Sequence, residues 1–176
     1  MSILKIARMG HPVLLSPALP VEDVFALEIQ ALIVAMAKTL EDSGGVGLAA
    51  PQVHVGLRLF LFKVPASRAD AGGEVKLRVV INPTLVPVED AGQELGWEGC
   101  LSIPGLRGAV PRWREIQLSG LNEAGEAFTE HLKGFAARVV QHEADHLDGV
   151  LYPMRMENFR HFGYNEELDR YPVEAL

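Results

Sequence analysis

The sequence predicts a protein of the α+β class, built as one domain over residues 1–176. Its length of 176 residues is that of one ordinary domain. Two stretches have the periodicity of amphipathic helices, and short apolar stretches between them have the composition of strands. These strands occur in runs and do not alternate with helices, which favours α+β over a βαβ arrangement.

The first helix is predicted from Glu22 to Asp42, where apolar residues recur at the spacing of one helix face. Ser43-Gly44-Gly45 ends it, because glycine easily adopts the left-handed conformation that closes a helix. Four strands follow from β-forming composition, and the loop Asn122–Gly125 joins the last two as a hairpin. The predicted strands are Leu57–Val64, Arg78–Asn82, Glu115–Ser119 and Glu126–Leu132.

The second helix is predicted from Lys133 to Asp148, with Gly149 as its C-terminal stop. Four of its residues form one stripe along the helix, and two of the four are apolar, so the stripe faces the interior. The stripe consists of Phe135, Val139, His142 and His146. Two histidines therefore point inward side by side.

The composition narrows the range of partners. A net charge of −7 and an isoelectric point near 5.3 argue against DNA or RNA as a partner, since phosphate binding needs a basic face. The longest apolar stretch, Ala31–Ala37, is too short to span a bilayer, so no membrane partner is expected. The first residues do not resemble a signal peptide, which predicts a cytoplasmic protein.

Residues 142–146 read His-Glu-Ala-Asp-His, which is an H-E-x-x-H motif. On a helix, His142 and His146 lie one turn apart and can bind one metal ion together. Glu143 lies beside the first ligand, where it can reach a water molecule without binding the metal. The alternative is two core histidines and a chance glutamate, but their place on an inward face favours a metal site.

A catalytic site of this type usually has three protein ligands, so a third is needed. The metzincin pattern requires a histidine where the chain has Tyr152, and this option fails. A thermolysin-like pattern would use Glu166, although helix-breaking residues interrupt the segment before it. Cys100, the one cysteine of the chain, is the third candidate. A closed structural metal clamp is also an alternative, but such a site would not need Glu143.

Three segments of the chain together resemble the signature motifs of the peptide deformylase family. They are G-V-G-L-A-A-P-Q at 45–52, E-G-C-L-S at 98–102 and Q-H-E-x-D-H-L at 141–147. The resemblance implies antiparallel sheets around a central helix that carries the two histidines. It also implies hydrolysis of the N-formyl group from the initiator methionine of new polypeptides. It extends to about Tyr152, which leaves residues 154–176 as a C-terminal tail of the domain.

By this resemblance, Cys100, His142 and His146 are the metal ligands, and Glu143 is the catalytic acid and base. The Gln52 amide and the backbone N–H of Leu101 would stabilise the oxyanion. Fe(II) is the metal that the family implies, with zinc, nickel or cobalt as alternatives.

A set of residues is expected to bind the substrate, in which the glycines let the peptide backbone approach closely, Val139 lines an apolar pocket for methionine, and Arg107 matches a family position that contacts the peptide. The set is Gly45, Val46, Gly47, Gly99, Arg107 and Val139. Glu98 is expected to orient groups around the metal, and Asp145 to pair with Arg112 and brace the helix. The expected partners are formyl-methionyl nascent peptides near the ribosome, although the acidic tail argues against docking onto RNA.

Overall fold

The computed structural model describes residues 3–70 and 72–173, which form three α-helices and eight strands. The predicted α+β class is confirmed. Positions 1, 2, 71 and 174–176 of the predicted domain lie outside the described residues. No helix within the described ranges has the length and apolar character needed to cross a membrane. The helices are α1 (Leu27–Ser43), α2 (Gly134–Leu147) and α3 (Asn165–Arg170).

The strands form two antiparallel sheets. In chain order they are β1 (Gly47–Ala49), β2 (Leu59–Val64), β3 (Val75–Pro87), β4 (Gln93–Cys100), β5 (Ile103–Trp113), β6 (Glu115–Leu121), β7 (Ala127–Lys133) and β8 (Phe162–Tyr164). The larger sheet has the order β1-β2-β3-β6-β7, and the smaller has the order β4-β5-β8. β1 is thus an edge strand of the larger sheet.

All four predicted strands are present, and one of them, β3, differs from the prediction in a way that the backbone explains. β3 is much longer than the predicted stretch Arg78–Asn82 and continues past it to Pro87. Asn82 adopts a positive φ of 49°, and the pairing with β6 shifts register between Ile81 and Thr84. Because of this irregularity, the composition did not predict that the strand continues beyond Asn82.

The first helix begins at Leu27 and not at Glu22. The Asp23 side chain accepts a hydrogen bond from the backbone N–H of Phe25, and its carbonyl accepts one from Ala26. These local bonds hold a turn in place of the first helical turn. The helix ends as predicted, with Gly44 in the left-handed conformation.

Strands β4 and β5 pair along almost their whole length as a hairpin, which the sequence analysis did not identify as strands. β4 contains two glycines and is mostly exposed, so it lacks the alternation of buried residues that marks a strand. β8 pairs with β5 at residues 106–108. Part of the predicted C-terminal tail is therefore built into the smaller sheet.

The second helix, α2, lies in the centre of the fold, and eleven of its fourteen residues are buried. Its apolar side packs on Phe60 and Phe62 of β2 within the main hydrophobic cluster. The Asp70 carboxylate accepts a hydrogen bond of 2.6 Å from the Phe135 N–H and so caps the first turn. Burial on nearly every side means that the polar residues of α2 must find partners inside the protein.

A candidate metal centre and active-site cavity

Cys100, His142 and His146 come together at the end of β4 and on the inner face of α2. One ligand atom from each lies within 4.8 Å of the other two, a spacing at which all three could hold one ion. The Cys100 Sγ is 3.3 Å from the His146 Nε2, and the two imidazole centroids are 5.0 Å apart. One sulfur and two nitrogen donors fit Fe(II) or Zn(II) better than Mg²⁺ or Ca²⁺, which prefer oxygen ligands.

Glu98 fixes the orientation of the His142 ring. The His142 Nδ1 lies 2.8 Å from the Glu98 Oε2, and an ionised carboxylate can only accept, so the proton lies on Nδ1. That leaves the lone pair of Nε2 for a metal ion. Burial lowers the pKa of the His142 imidazole, but its hydrogen bonds with Cys100 and Glu98 outweigh burial and raise it well above its ordinary value.

Glu98 itself is held by two arginines. Arg112 donates from Nε and Nη2 to the two carboxylate oxygens at 2.9 and 3.0 Å, and Arg138 donates from Nη1 to Oε1 at 3.0 Å. Burial would raise the pKa of Glu98, but hydrogen bonds from His142 and Arg112 outweigh it and hold the pKa well below its ordinary value. The carboxylate therefore stays ionised in a buried position.

The Glu143 side chain is buried beside the three ligand residues and against Gly47. Its Oε2 has no hydrogen-bond partner among the described residues. Burial raises the pKa of Glu143 to about 7, a shift that the positive charge on His142 partly offsets. A Cβ atom at Gly47 would lie 2.6 Å from the Glu143 Cδ, so only glycine leaves room for this carboxylate. An unpartnered buried carboxylate with such a pKa can exchange a proton near neutrality.

Gln52 faces the same centre with its amide nitrogen. The Ala49 N–H donates to the Gln52 Oε1 at 2.8 Å, which fixes the two ends of the amide. The Nε2 group then points to the Cys100 Sγ at 3.4 Å and the Ser102 Oγ at 3.2 Å. A donor is thus oriented next to the ligand cluster.

A cavity of about 420 Å³ opens onto these groups. Most residues that the sequence predicted for the site line it, together with Phe135 and Trp97. The predicted residues in its wall are Gly45, Val46, Gly47, Gln52, Glu98, Gly99, Cys100, Leu101, Val139, His142 and Glu143. His146 lies behind this wall, almost fully buried.

Three residues named by the sequence lie elsewhere. Arg107 is outside the cavity wall, where it forms an ion pair of 2.7 Å with Asp169 and lies over the Trp97 ring. Asp145 faces away from the cavity and binds Arg112 at 2.6 Å, as predicted. Glu166 is exposed on α3 and is not part of the ligand cluster.

Three residues of the site, two of them buried and Arg138 partly buried, were not predicted from the sequence. Arg138 reaches Glu98 from the preceding turn of α2, and Ser102 accepts the hydrogen bond from Gln52. Tyr152 stacks on the His142 ring with centroids 6.0 Å apart. The spacing of four residues between Arg138 and His142 places both on one side of the helix, but it does not by itself distinguish Arg138 from a solvated arginine.

Comparison with known proteins identifies relatives over most of the chain. The sequence profile of the polypeptide deformylase family matches residues 3–161. Peptide deformylase 1 of Nitrosomonas europaea is 45% identical over 164 residues, which cover 93% of each protein. Peptide deformylase 1 of Bordetella pertussis is 47% identical, again over 93% of both chains.

Solved structures agree with these sequence matches. A class I type b peptide deformylase from Acinetobacter baumannii, bound to Met-Ala-Ser, superposes with a TM-score of 0.80 at 35% identity, covering 88% of this chain and 99% of that one. Peptide deformylase from Thermotoga maritima gives a TM-score of 0.79 at 36% identity, covering 90% of this chain and all of that one. The chain therefore belongs to the peptide deformylase family, enzymes that hydrolyse the formyl group from formyl-methionyl peptides.

Proposed function

We propose that Cys100, His142 and His146 hold one divalent metal ion and that Glu143 is the acid and base of the deformylation. One observation carries this proposal. The three ligand atoms lie within 4.8 Å of one another, and Glu143 lies beside them with an oxygen that has no partner among the described residues. Glu98 supports the arrangement by presenting His142 with its Nε2 toward the cluster.

The resident metal is proposed to be Fe(II), and zinc, nickel and cobalt are alternatives with the same ligands. A single thiolate with two imidazoles suits all four ions. When bound, such an ion acts as a Lewis acid and lowers the pKa of water.

Glu143 takes a proton on Oε2 from the attacking water and then delivers it to the departing amine. Its raised pKa in the metal-free chain reflects burial, and a cation at the ligand cluster would lower it and favour the base form. The Gln52 Nε2 and the backbone N–H of Leu101 donate to the formyl oxygen as negative charge develops on it. The fixed amide of Gln52 needs no reorganisation for this task.

The substrate peptide is proposed to bind in the extended form along the open edge of β1, at Gly45, Val46 and Gly47. Gly99, on β4, also lines the cavity. Val139 lines the apolar part of the cavity, which would take the methionine side chain.

Arg107 is proposed to contact the peptide from outside this cavity. It would have to leave its ion pair with Asp169, an exposed partner, to do so. We further propose that the enzyme works in the cytoplasm, on nascent chains near the ribosome. The Met-Ala-Ser bound to the Acinetobacter baumannii enzyme supports a peptide that begins with methionine.

Formate release from formyl-Met-Ala-Ser tests these roles. Protein purified without oxygen and loaded with Fe(II) should release formate, whereas Glu143→Ala should keep one metal per chain and lose turnover. Cys100→Ala should lose the metal, and Glu166→Ala should keep it. Turnover that survives in Glu143→Ala with metal bound would show that another group moves the proton.

A further inference from the structure

The Arg138 side chain crosses from α2 to the β4–β5 hairpin and is almost buried there. Its Nη1 donates to the Val110 carbonyl at 2.8 Å and to the Glu98 Oε1 at 3.0 Å. Its Nη2 donates to the Glu94 carbonyl at 2.7 Å. One guanidinium thus links the helix of the two histidines, both strands of the hairpin and the carboxylate that orients His142.

Gly96 provides the space for this guanidinium. A Cβ atom at position 96 would lie 2.8 Å from both the Arg138 Cζ and Nη2, closer than side chains approach one another. Gly96 pairs with Val110 across the hairpin, at the level where Arg138 crosses it. Gly96 and Arg138 therefore form one structural unit. The guanidinium of Arg138 occupies the space that a side chain at position 96 would take.

Arg138 completes the set of donors around Glu98. The Oε1 atom accepts from Arg112 and Arg138, and the Oε2 atom accepts from Arg112 and His142. Without Arg138 the carboxylate would keep Arg112 as its one arginine partner. The carboxylate could then rotate, and the His142 ring with it.

We propose that Arg138, seated over Gly96, is a positioning residue for the metal centre: it holds Glu98 so that His142 presents Nε2 to the ion. The inference rests on the proposed ligand set of Cys100, His142 and His146. It concerns affinity for the ion as well as turnover, because the side chain of Arg138 bonds to Glu98 and to the backbone of the hairpin.

Geometry and charge predict opposite effects of removing Arg138. A positive guanidinium near a metal cation is repulsive, so loss of its charge alone would strengthen metal binding. Loss of the orientation of Glu98 would weaken it, because partners that orient a ligand are typically worth about 10- to 100-fold in metal affinity. The sign of the change therefore separates the two roles.

The test is the dissociation constant for Co(II) and Zn(II), measured by competition with a chelator in the absence of substrate. We expect Arg138→Met to bind each ion about 10-fold more weakly, the lower end of that range, because Arg138 acts through Glu98. The visible absorption of the Co(II) protein should change with it, since it reports ligand geometry. Unchanged or tighter metal binding would overturn the proposal. A lower melting temperature with unchanged metal affinity would overturn it too, because Arg138 would then stabilise the fold only.

Gly96→Ala gives an independent perturbation, because it displaces the guanidinium without deleting it. Metal affinity should fall in this variant as well. Adding Gly96→Ala to Arg138→Met should cost little more, because flexible methionine can move away from the new methyl group. Strictly additive effects would show that the two positions do not act as one unit, against the proposal.

Arg78→Met is the matched control, since Arg78 pairs with Glu130 on the larger sheet and not with Glu98, so metal affinity should stay unchanged. Cys100→Ala separates this proposal from the proposed ligand set. If the native chain and Cys100→Ala bind metal equally, the ligand assignment is wrong. If only the native chain binds it and Arg138→Met matches the native value, the positioning role alone is wrong.

Discussion

Replacing Gly47 by alanine would place a methyl group against the Glu143 carboxylate. The new Cβ would lie 2.6 Å from Cδ and 2.8 Å from Cγ of Glu143, whereas ordinary contacts begin at 3.4 Å. Cδ would have to move by about 0.8 Å to restore that contact, the difference between 3.4 and 2.6 Å. The three heavy atoms nearest to the new Cβ all belong to Glu143.

A displacement of about 1 Å in a reacting group can cost about 100-fold in rate. We therefore expect kcat to fall by about 100-fold in Gly47→Ala, which corresponds to about 2.7 kcal/mol of transition-state stabilisation. KM for formyl-Met-Ala-Ser should change much less than kcat, because the main loss concerns proton transfer and the proposed peptide contact at Gly47 is made by its backbone.

The assay is formate release at several substrate concentrations, together with the metal content of each preparation. Gly56→Ala is the control, since a Cβ at Gly56 meets nothing within 4 Å. Native kcat in Gly47→Ala would refute the argument that Gly47 exists to seat Glu143. A rise in KM alone would indicate that Gly47 serves only the peptide contact proposed above and does not seat Glu143.

Three further predictions concern buried groups around the centre. Tyr152→Phe should raise the free energy of unfolding, measured by urea denaturation, by about 1 kcal/mol. The reason is that the Tyr152 hydroxyl is buried without a partner among the described residues. Arg112→Met should lower it by about 3–5 kcal/mol, because both Glu98 and Asp145 lose a buried partner. In chelator-treated protein, the stabilisation from Glu98 should be complete above its ordinary pKa of 4.5 and decline as the pH falls below it, since the folded pKa is depressed. A pH series of urea unfolding should show a smaller decline for Glu98→Gln, and equal declines would contradict this.

The side-by-side placement of His142 and His146 was predictable because its signal is local in the chain. His142 and His146 are one helical turn apart, and the apolar residues of the stripe fix which way they face. The pair Asp145–Arg112 was predicted too, and it is present in the structure. The assignment of Cys100 to the same site came from the motif resemblance. Its local sequence does not indicate that β4 ends beside α2.

Arg138 could not be found in this way. An arginine at this position of a helix is usually solvated. The partners of Arg138 lie on the β4–β5 hairpin, which is distant in sequence. The hairpin itself was missed, because Gly96 and Gly99 interrupt the alternation by which strands are recognised. The register of β4 against β5, and with it the space over Gly96, depends on contacts distant in sequence.

The three-residue strand β8 covers a strand edge that could otherwise pair with another copy of the chain. It covers the outer edge of β5 at residues 106–108, next to Arg107. Uncovered strand edges offer free N–H and C=O groups and pair readily with other chains. A variant in which β8 detaches would therefore be prone to aggregation through β5 at raised protein concentration, even if its metal centre were still intact.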